Sequence, residues 1–356
     1  MARKKPLAEQ VVVIGGGSYG LGRAVARAAA DRGACVVVGA RTAEALEATR
    51  REIEAAGAQG LVVETDVSDR TQVERLAATA VERFGRIDTY IANGMVTVYA
   101  EAHRLEDDEL RRVFDVNFFG GVYGYWASLP HLRTSRGTFI QIASALSYRG
   151  IPLQAAYCST KAALRTFFET ARVEQEKERS GVDVCVILPG AINTPQFDRA
   201  RQKIGLQPQP VPPIYQPEPY AKAVVHCCEK PIRELPVSWG AQKLLWGQKL
   251  SPRAGDLMLL RMGWKAQHTG ELKPKSSPDN LFAVIPGDPG AHGRFDDRSR
   301  EGSAWTWLRL HGGKEALIGL AALGAATVLG TMGARTARWC VFPPRKQVLR
   351  TWHCSS

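Results

Sequence analysis

The sequence predicts an α/β fold in which a doubly wound parallel sheet carries helices on both faces and is followed by a C-terminal extension. Apolar, β-branched runs alternate with helical segments through the first 190 of the 356 residues. These runs are almost continuously apolar, which is typical of parallel strands that are buried on both faces. Right-handed crossovers between such strands give a Rossmann-type sheet.

The predicted strands and helices follow each other in a regular order. The strand-like runs are residues 11–14, 34–38, 61–64, 87–92, 138–143, 182–188 and 234–239. The helical segments are residues 21–32, 42–56, 71–84, about 107–130, 155–179 and 220–229. The six prolines from 208 to 219 exclude a regular helix or a central strand across the loop 195–219. We expect this loop to lie outside the carboxyl edge of the sheet, where ligands bind in such folds.

A glycine-rich turn, GGSYGLG at residues 16–22, follows the first strand and opens the first helix. Glycines allow a tight turn and a close approach to a pyrophosphate, whose charge the helix N-terminus favours. Glycines also serve ordinary turns, but the position between a strand and a helix favours a dinucleotide site. The residues expected to contact the cofactor here are Gly16, Ser18, Tyr19, Gly20, Leu21 and Gly22.

The end of the second strand predicts which cofactor binds. An acidic residue there would bind the ribose 2′-hydroxyl of NAD, whereas an arginine suits the 2′-phosphate of NADP. The sequence reads Gly39-Ala40-Arg41 without a carboxylate. Arg41 could instead be a solvated arginine at the start of a helix, but the pattern favours NADP(H) over NAD(H).

Tyr157 and Lys161 are spaced so that they share one face of a predicted helix, with Cβ atoms about 6 Å apart. An ammonium near a phenol favours the phenolate and lowers the phenol pKa from its ordinary value of about 10. A surface pair would have the same spacing. Two other residues favour the catalytic interpretation: Ser144 at the end of a predicted strand, and Asn117 inside a long helix, where asparagine is otherwise unfavourable.

These motifs occur in the order and spacing of the short-chain dehydrogenase/reductase family, which the chain resembles over roughly residues 9–240. The further motifs that carry the resemblance are Asp66-Val67, Ile91-Ala92-Asn93-Gly94, and Pro189-Gly190-Ala191-Ile192-Asn193-Thr194. The sequence departs from the family pattern at Gly15, where a threonine is usual, and at Ala92-Asn93-Gly94-Met95, where the family usually has NNAG. The resemblance further implies a bacterial-type member with a C-terminal extension.

The resemblance assigns roles to the catalytic residues. Tyr157 would exchange a proton with the substrate oxygen, and Ser144 would hydrogen-bond that oxygen. Lys161 would bind the nicotinamide ribose and tune Tyr157, and Asn117 would hold a water in a proton relay. The remaining residues that the resemblance implies for cofactor binding are Asp66 and Val67 at the adenine, Asn93 and Gly94 after the fourth strand, and Pro189, Gly190, Ile192 and Thr194 near the nicotinamide.

The function predicted from these residues is NADP(H)-dependent interconversion of a carbonyl and an alcohol, with Tyr157 as the general acid/base. The alternative is a non-catalytic NADP-binding scaffold or regulatory protein on the same fold. Trp246, Trp264 and residues 257–260 fit either a pocket for a lipophilic substrate or core packing. The family resemblance also implies a homodimer or homotetramer, formed through the helices that contain Asn117 and Tyr157.

The chain is expected to divide into four segments. Residues 1–265 would form the NADP-binding domain, 266–315 a polar extended arm or linker, 316–334 an apolar Gly/Ala-rich helix, and 335–356 a basic tail. Residues 316–334 are 19 consecutive residues without a charged side chain. This length is close to the roughly 20 residues that span a membrane. A packing helix fits this composition equally well, because glycines and threonines oppose insertion.

Composition excludes several function classes. The seven cysteines show no spacing typical of metal ligands, so no metal site is predicted. The net charge of +12 comes without a nucleic-acid-binding motif, so no nucleic-acid partner is predicted. The basic N-terminus is not followed by a signal-peptide core. We therefore expect a cytoplasmic protein, with membrane association through residues 316–334 as the open alternative.

Overall fold

Seven parallel strands form the central sheet of the computed structural model, which describes residues 4–312. The strands are β1 (Val11–Gly15), β2 (Cys35–Ala40), β3 (Gly60–Glu64), β4 (Thr89–Ala92), β5 (Thr138–Ile142), β6 (Asp183–Pro189) and β7 (Glu234–Val237). Their order across the sheet is β7-β6-β5-β4-β1-β2-β3. The direction of winding reverses between β1 and β4, which confirms the predicted doubly wound Rossmann-type fold.

Helices cover both faces of the sheet. The α-helices within residues 4–312 are α1 (Gly20–Ala30), α2 (Ala43–Ala55), α3 (Arg70–Phe84), α4 (Asp107–Phe114), α5 (Gly120–Ser135), α6 (Ala155–Glu178), α7 (Gln196–Arg199), α8 (Pro217–Glu229), α9 (Trp239–Leu250), α10 (Pro252–Met262) and α11 (Ala304–His311). Leu76 of α3, Tyr125 of α5 and Phe168 of α6 pack with strand residues in one core cluster. Helices α1 and α8 pack against each other on the opposite face.

Buried β-branched residues explain why the central strands form. All five residues of β1 are buried, and Val36, Val37 and Val38 of β2 have no exposed surface. Such residues suit a pleated surface that is covered on both sides. Pro236 lies in β7, an edge strand. Its missing N–H is tolerated there because the outer side of an edge strand has no neighbouring strand to accept a hydrogen bond.

Two helix predictions need correction. The helix expected over residues 107–130 is interrupted by a π-helical turn, Asp115–Phe119, and α5 continues past Pro130. Pro130 removes only one backbone donor, and the fully buried Leu132 beyond it holds the helix against the core. Helix α8 begins at Pro217, within the loop expected to exclude a helix. A proline fits there because the first helical turn does not use its N–H groups.

Residues 266–300, named here the C-terminal arm, return to the proline-rich loop twice. His268–Leu272 pairs antiparallel with Leu206–Pro208. Ser299–Arg300 pairs in parallel with Ile214–Tyr215. The arm is therefore held at both ends by short ladders beside the carboxyl edge of the sheet.

Between these ladders, the arm contributes apolar side chains to the core. Leu281 has no exposed surface and packs in a cluster that includes Val96 and Val116. Phe295 is 2% exposed and contacts the Phe197 ring, with centroids 5.9 Å apart. Because this stretch is mostly polar, the sequence does not indicate that Leu281 and Phe295 are buried.

The chain divides into two compact units, Met1–Thr306 and Trp307–Ser356. Of the second unit, the structure describes residues 307–312, which include the end of α11. The predicted apolar helix 316–334 and the basic tail 335–356 lie outside the described residues. Between residues 4 and 312, we find no helix with the length and apolarity needed to cross a membrane. The boundaries of the four predicted segments remain predictions.

We expect Leu281→Ala to lower the free energy of unfolding by about 2–5 kcal/mol, because it leaves a cavity in a buried cluster. The neighbouring Phe282→Ala is the control, since Phe282 is 45% exposed and its truncation should cost at most about 1 kcal/mol. Urea unfolding of the two variants measures the difference. Equal losses would show that the arm is not anchored through Leu281.

Candidate active site

A cavity of about 450 Å³ opens at the carboxyl edge of the sheet. Its walls come from the glycine-rich turn after β1, the ends of β2, β4, β5 and β6, helix α6, the proline-rich loop and the C-terminal arm. The strand order places Arg41 and Asp66, after β2 and β3, on one side of the glycine-rich turn. It places Tyr157 and Lys161, which pack beside β5, on the other side.

The glycine-rich turn rests directly on the end of β4. Gly16 has a φ of +89°, and a Cβ at this position would lie 2.4 Å from the Cα of Gly94. The backbone N–H groups of Asn93 and Gly94 both donate to the carbonyl of Gly15 at 2.9 Å. The Asn93 side chain also donates to the Gly16 carbonyl. This close contact requires glycine and fixes the N-terminus of α1 beside the cavity.

The side of the cavity near β2 and β3 has a positive balance. The charged residues that line the whole cavity are Arg41, Asp66, Lys161 and Arg199. The Asp66 carboxylate accepts a hydrogen bond from Arg112 at 2.7 Å and another from the Ser68 hydroxyl at 2.7 Å. Burial alone would raise the pKa of Asp66, but these bonds bring it below its ordinary value. Asp66 is therefore ionised and already neutralised by Arg112.

Lys161 is fixed in the protein interior beside Tyr157. Its Nζ donates to the carbonyl of Ile142 at 2.9 Å and lies 5.6 Å from the centroid of the Tyr157 ring. The Lys161 side chain is almost completely buried. Burial lowers its pKa to about 7 because the surrounding protein solvates an ammonium poorly. Small changes in its surroundings therefore change its charge near neutral pH.

Tyr157 faces the cavity together with Ser144. Burial raises the pKa of Tyr157 to about 12, and the neighbouring Ser144 side chain opposes this shift through a hydrogen bond. The expected lowering of the phenol pKa by Lys161 does not occur in this structure. The physical reason is that both groups are buried, and a poorly solvating surrounding favours the neutral form of each. Tyr157 is thus a protonated phenol at neutral pH.

Asn117 lies one layer behind these residues and does not line the cavity. Its side chain accepts from the Val96 N–H at 2.8 Å and donates to the Val96 carbonyl at 3.0 Å. It also donates to the Thr160 hydroxyl, which in turn donates to the carbonyl of Tyr157. Asn117 therefore connects a cavity wall at Val96 to the helix that carries Tyr157.

One part of the cavity lining is apolar. The contributing side chains are Val211 of the proline-rich loop, Leu244 of α9, and Met258, Leu259 and Met262 of α10. No residue of α10 is fully buried. Residues 258 and 259 of the 257–260 run therefore fit the pocket interpretation better than core packing. Trp246 and Trp264 do not line the cavity and are each almost half exposed.

The fold agrees with comparisons to known proteins. Residues 10–205, more than half of the chain, match the family model of the short chain dehydrogenases. The chain belongs to this family. The short-chain dehydrogenase is 33% identical over 339 residues to the uncharacterized oxidoreductase YxnA of Bacillus subtilis. That match covers 94% of this chain and 92% of the relative, so the similarity extends well beyond the residues of the family model.

Two further relatives of this short-chain dehydrogenase have more specific names. The 11-beta-hydroxysteroid dehydrogenase A of Sesamum indicum is 34% identical over 190 residues, covering 53% of this chain and 54% of that protein. An alcohol dehydrogenase of the archaeon Thermococcus sibiricus, solved in complex with 5-hydroxy-NADP, superposes with a TM-score of 0.57 at 28% identity. That structural match covers 64% of this chain and 94% of the archaeal chain.

Most of the residues predicted for the site of this short-chain dehydrogenase meet at the one cavity. Those that line it are Gly16, Ser18, Tyr19, Gly20, Leu21, Arg41, Asp66, Val67, Asn93, Gly94, Ser144, Tyr157, Lys161, Pro189, Gly190, Ile192 and Thr194. Gly22 and Asn117 do not line it. A Cβ at Gly22 would lie 2.1 Å from the Gly16 carbonyl oxygen, so Gly22 supports the turn from behind.

Several polar residues that line the cavity of the short-chain dehydrogenase leave no signal in the sequence pattern: Thr42, Thr65, Gln154, Gln196, Arg199, Gln209, Ser238 and Asn280. Arg199 lies in a short helix without a recognisable spacing. Asn280 lies in the C-terminal arm, within the stretch 266–315 that the sequence predicts only as a polar extended arm or linker. The departure at Gly15 has a structural reason: a Cβ there would lie 3.0 Å from the hydroxyl of Tyr90, a fully buried residue.

Proposed function

We propose that this short-chain dehydrogenase interconverts a carbonyl and an alcohol with NADP(H), using Tyr157 as the general acid/base. One observation carries the proposal: Tyr157, Lys161 and Ser144 share a single cavity with Arg41 and the glycine-rich turn. A proton donor and a dinucleotide site that open into the same space are what a hydride-transfer enzyme needs.

The residues present fit a nicotinamide dinucleotide. The turn at Gly16 and the N-terminus of α1 suit a pyrophosphate, because backbone N–H groups and the helix dipole favour negative charge there. Arg41 and Arg199 add positive charge, while the single carboxylate of the lining, Asp66, is neutralised by Arg112. The sequence carries no acidic residue at the end of β2, which favours NADP(H) over NAD(H).

Bound NADPH would supply the hydride, and the chain supplies the proton. Tyr157 is protonated at neutral pH, so it is ready to donate to the oxygen of a carbonyl substrate as negative charge develops there. The Ser144 hydroxyl is positioned to hydrogen-bond the same oxygen. In the oxidative direction, Tyr157 must first lose its proton and then accept one from the alcohol.

Lys161 stabilises the phenolate when it forms. Because its pKa is about 7, Lys161 can take up a proton when a negative charge appears on Tyr157 nearby. The Ile142 carbonyl holds Nζ in place, which keeps this charge beside the phenol. Asn117 would help to position Tyr157, because its side chain forms hydrogen bonds with Val96 and with Thr160 on the helix that carries Tyr157.

The substrate would have an apolar body. Val211, Leu244, Met258, Leu259 and Met262 line one part of the cavity, and none of them carries a hydrogen-bond donor in its side chain. Burial of apolar surface against such a wall contributes roughly 25 cal/mol per Å². The similarity to a plant 11-beta-hydroxysteroid dehydrogenase supports a lipophilic ketone or alcohol as the substrate class.

The direct test follows NADPH oxidation by absorbance across a panel of lipophilic ketones and aldehydes. We expect turnover by the unaltered protein and a loss of about 10²–10⁴-fold in Tyr157→Phe, which keeps the ring but cannot donate the proton. Tyr123→Phe is the matched control, since Tyr123 does not line the cavity. NADPH binding without turnover on any substrate would favour the scaffold alternative.

We expect Arg41→Ala to weaken NADPH binding by about ten- to a hundredfold, because it removes a charged hydrogen-bond donor for the 2′-phosphate. NADH binding should change little. The control is Arg111→Ala, which removes an equal charge from an arginine that is 74% exposed and does not line the cavity. Isothermal titration calorimetry measures both affinities. Parallel losses for NADPH and NADH would contradict the assigned role of Arg41.

The two reaction directions should respond differently to pH. A group with a pKa of about 12 is fully protonated between pH 7 and 9, so the general acid for reduction does not vary with pH over this range. The phenolate needed for oxidation increases close to tenfold per pH unit below the pKa. We therefore expect kcat/KM for alcohol oxidation to rise through pH 7–9 while kcat/KM for reduction does not rise. A plateau in oxidation from pH 7 would contradict this expectation and would show that the pKa of Tyr157 in the enzyme–cofactor complex lies far below 12.

A further inference from the structure

The C-terminal arm crosses the side of the cavity assigned to the adenosine end of the cofactor. The Gly290 carbonyl accepts a hydrogen bond from the N–H of Gly20, the first residue of α1, at 3.1 Å. The Gly287 N–H donates to a carboxylate oxygen of Glu44 at 2.9 Å. Asp288 forms an ion pair with Arg23. The arm therefore contacts both helices that flank the end of β2.

Asn280 is the residue of the arm that joins the two predicted cofactor contacts on this side. Its backbone carbonyl accepts from Nη2 of Arg41 at 2.7 Å. Its side-chain Nδ2 donates to the Tyr19 hydroxyl at 2.9 Å. Arg41 and Tyr19 both line the cavity, as does Asn280 itself. Asn280 thus connects the glycine-rich turn to the arginine at the end of β2.

The carboxamide of Asn280 has one polar atom without a partner. Asn280 is only 5% exposed, and its Oδ1 makes no hydrogen bond within the protein. Within residues 4–312, no other residue with such an unpartnered buried atom lines the cavity. A buried oxygen without a hydrogen-bond partner is unfavourable, because it has lost its water without replacement. A ligand in the cavity that donates a hydrogen bond to this atom would remove the penalty.

The flanking residues fix the position of Asn280. Leu281 is fully buried, and its carbonyl accepts from Nε of Arg112 at 3.0 Å. The Asp279 carboxylate pairs with Arg201 at 2.9 Å. The Ile285 carbonyl accepts from Arg199 at 2.9 Å. Asn280 is therefore held on both sides by charged and apolar anchors, so its carboxamide is preorganised rather than free to turn away.

We propose that Asn280 completes the adenosine subsite and determines cofactor specificity there, which rests on the proposed use of NADP(H). Its Oδ1 accepts a hydrogen bond from a hydroxyl of the adenosine ribose. Its backbone carbonyl holds Arg41 in position for the 2′-phosphate. A neutral carboxamide tolerates that phosphate, whereas a carboxylate of the same shape would repel it and would accept from a free 2′-hydroxyl.

The experiment measures binding to the full-length protein by calorimetry, without any reaction. The probes are adenosine 2′,5′-bisphosphate, which carries the 2′-phosphate, and adenosine 5′-monophosphate, which carries a free 2′-hydroxyl. The variants are Asn280→Asp and Asn280→Ala. Ser276→Asp is the matched control, because it adds the same charge to an exposed arm residue that does not line the cavity.

We expect Asn280→Asp to weaken binding of the bisphosphate at least tenfold and to leave the monophosphate unchanged or tighter. Asn280→Ala should weaken both probes by about two- to tenfold, because it removes the bond to the ribose. Ser276→Asp should change neither affinity beyond about twofold. A thermal melt of each variant shows whether it is folded, and if Asn280→Asp does not fold, Asn280→Ala decides alone.

The outcomes separate this inference from the proposed function. Unaltered affinities in both Asn280 variants, with normal binding by the unaltered protein, would overturn the role of Asn280 and leave the enzyme proposal standing. An equal loss for both probes in Asn280→Asp would overturn the specificity role. Failure of the unaltered protein to bind either probe or NADPH would contradict the proposed use of NADP(H) itself.

Discussion

The carboxyl ends of the central strands lie side by side because all seven strands run in the same direction. This constraint brings together residues that are far apart in the chain: the turn after β1, Arg41 after β2, Asp66 after β3 and Ser144 after β5. Each position is individually ordinary. The parallel sheet gives them a common edge, and the crossover helices place Tyr157 and Lys161 beside that edge. The tight contact between Gly16 and Gly94 holds the glycine-rich turn against the end of β4, and both residues line the cavity.

Burial determines the chemistry of this edge more than any pair of charges does. Tyr157 and Lys161 are close enough to interact, yet the protein around them favours the neutral form of both. The phenol therefore keeps its proton at neutral pH, and the amine can take up a proton when the phenolate forms. Side chains of α9 and α10 add an apolar part to the lining of the cavity. The site combines a positively charged half with a half that is largely apolar.

Much of this arrangement could be predicted from the sequence, for physical reasons. Apolar runs such as 11–14 must be buried strands, and the spacing of Tyr157 and Lys161 places them on one helical face. The glycine-rich turn is visible because its glycines are needed by the backbone. Other features depend on tertiary contacts that leave no local pattern. Asn280 reaches the cavity only because Leu281 anchors the arm, and the pKa of Tyr157 depends on burial that a helical spacing cannot show. The π-helical turn at Asn117 is likewise invisible in residue periodicity.

We expect one dinucleotide to occupy the cavity in a single orientation. A crystal structure with NADP⁺ bound tests this most directly. We expect the 2′-phosphate within hydrogen-bonding distance of Arg41, the adenosine ribose beside Asn280, and the nicotinamide next to Tyr157 and Lys161. A dinucleotide bound outside this cavity, or bound with its nicotinamide against the C-terminal arm, would contradict it.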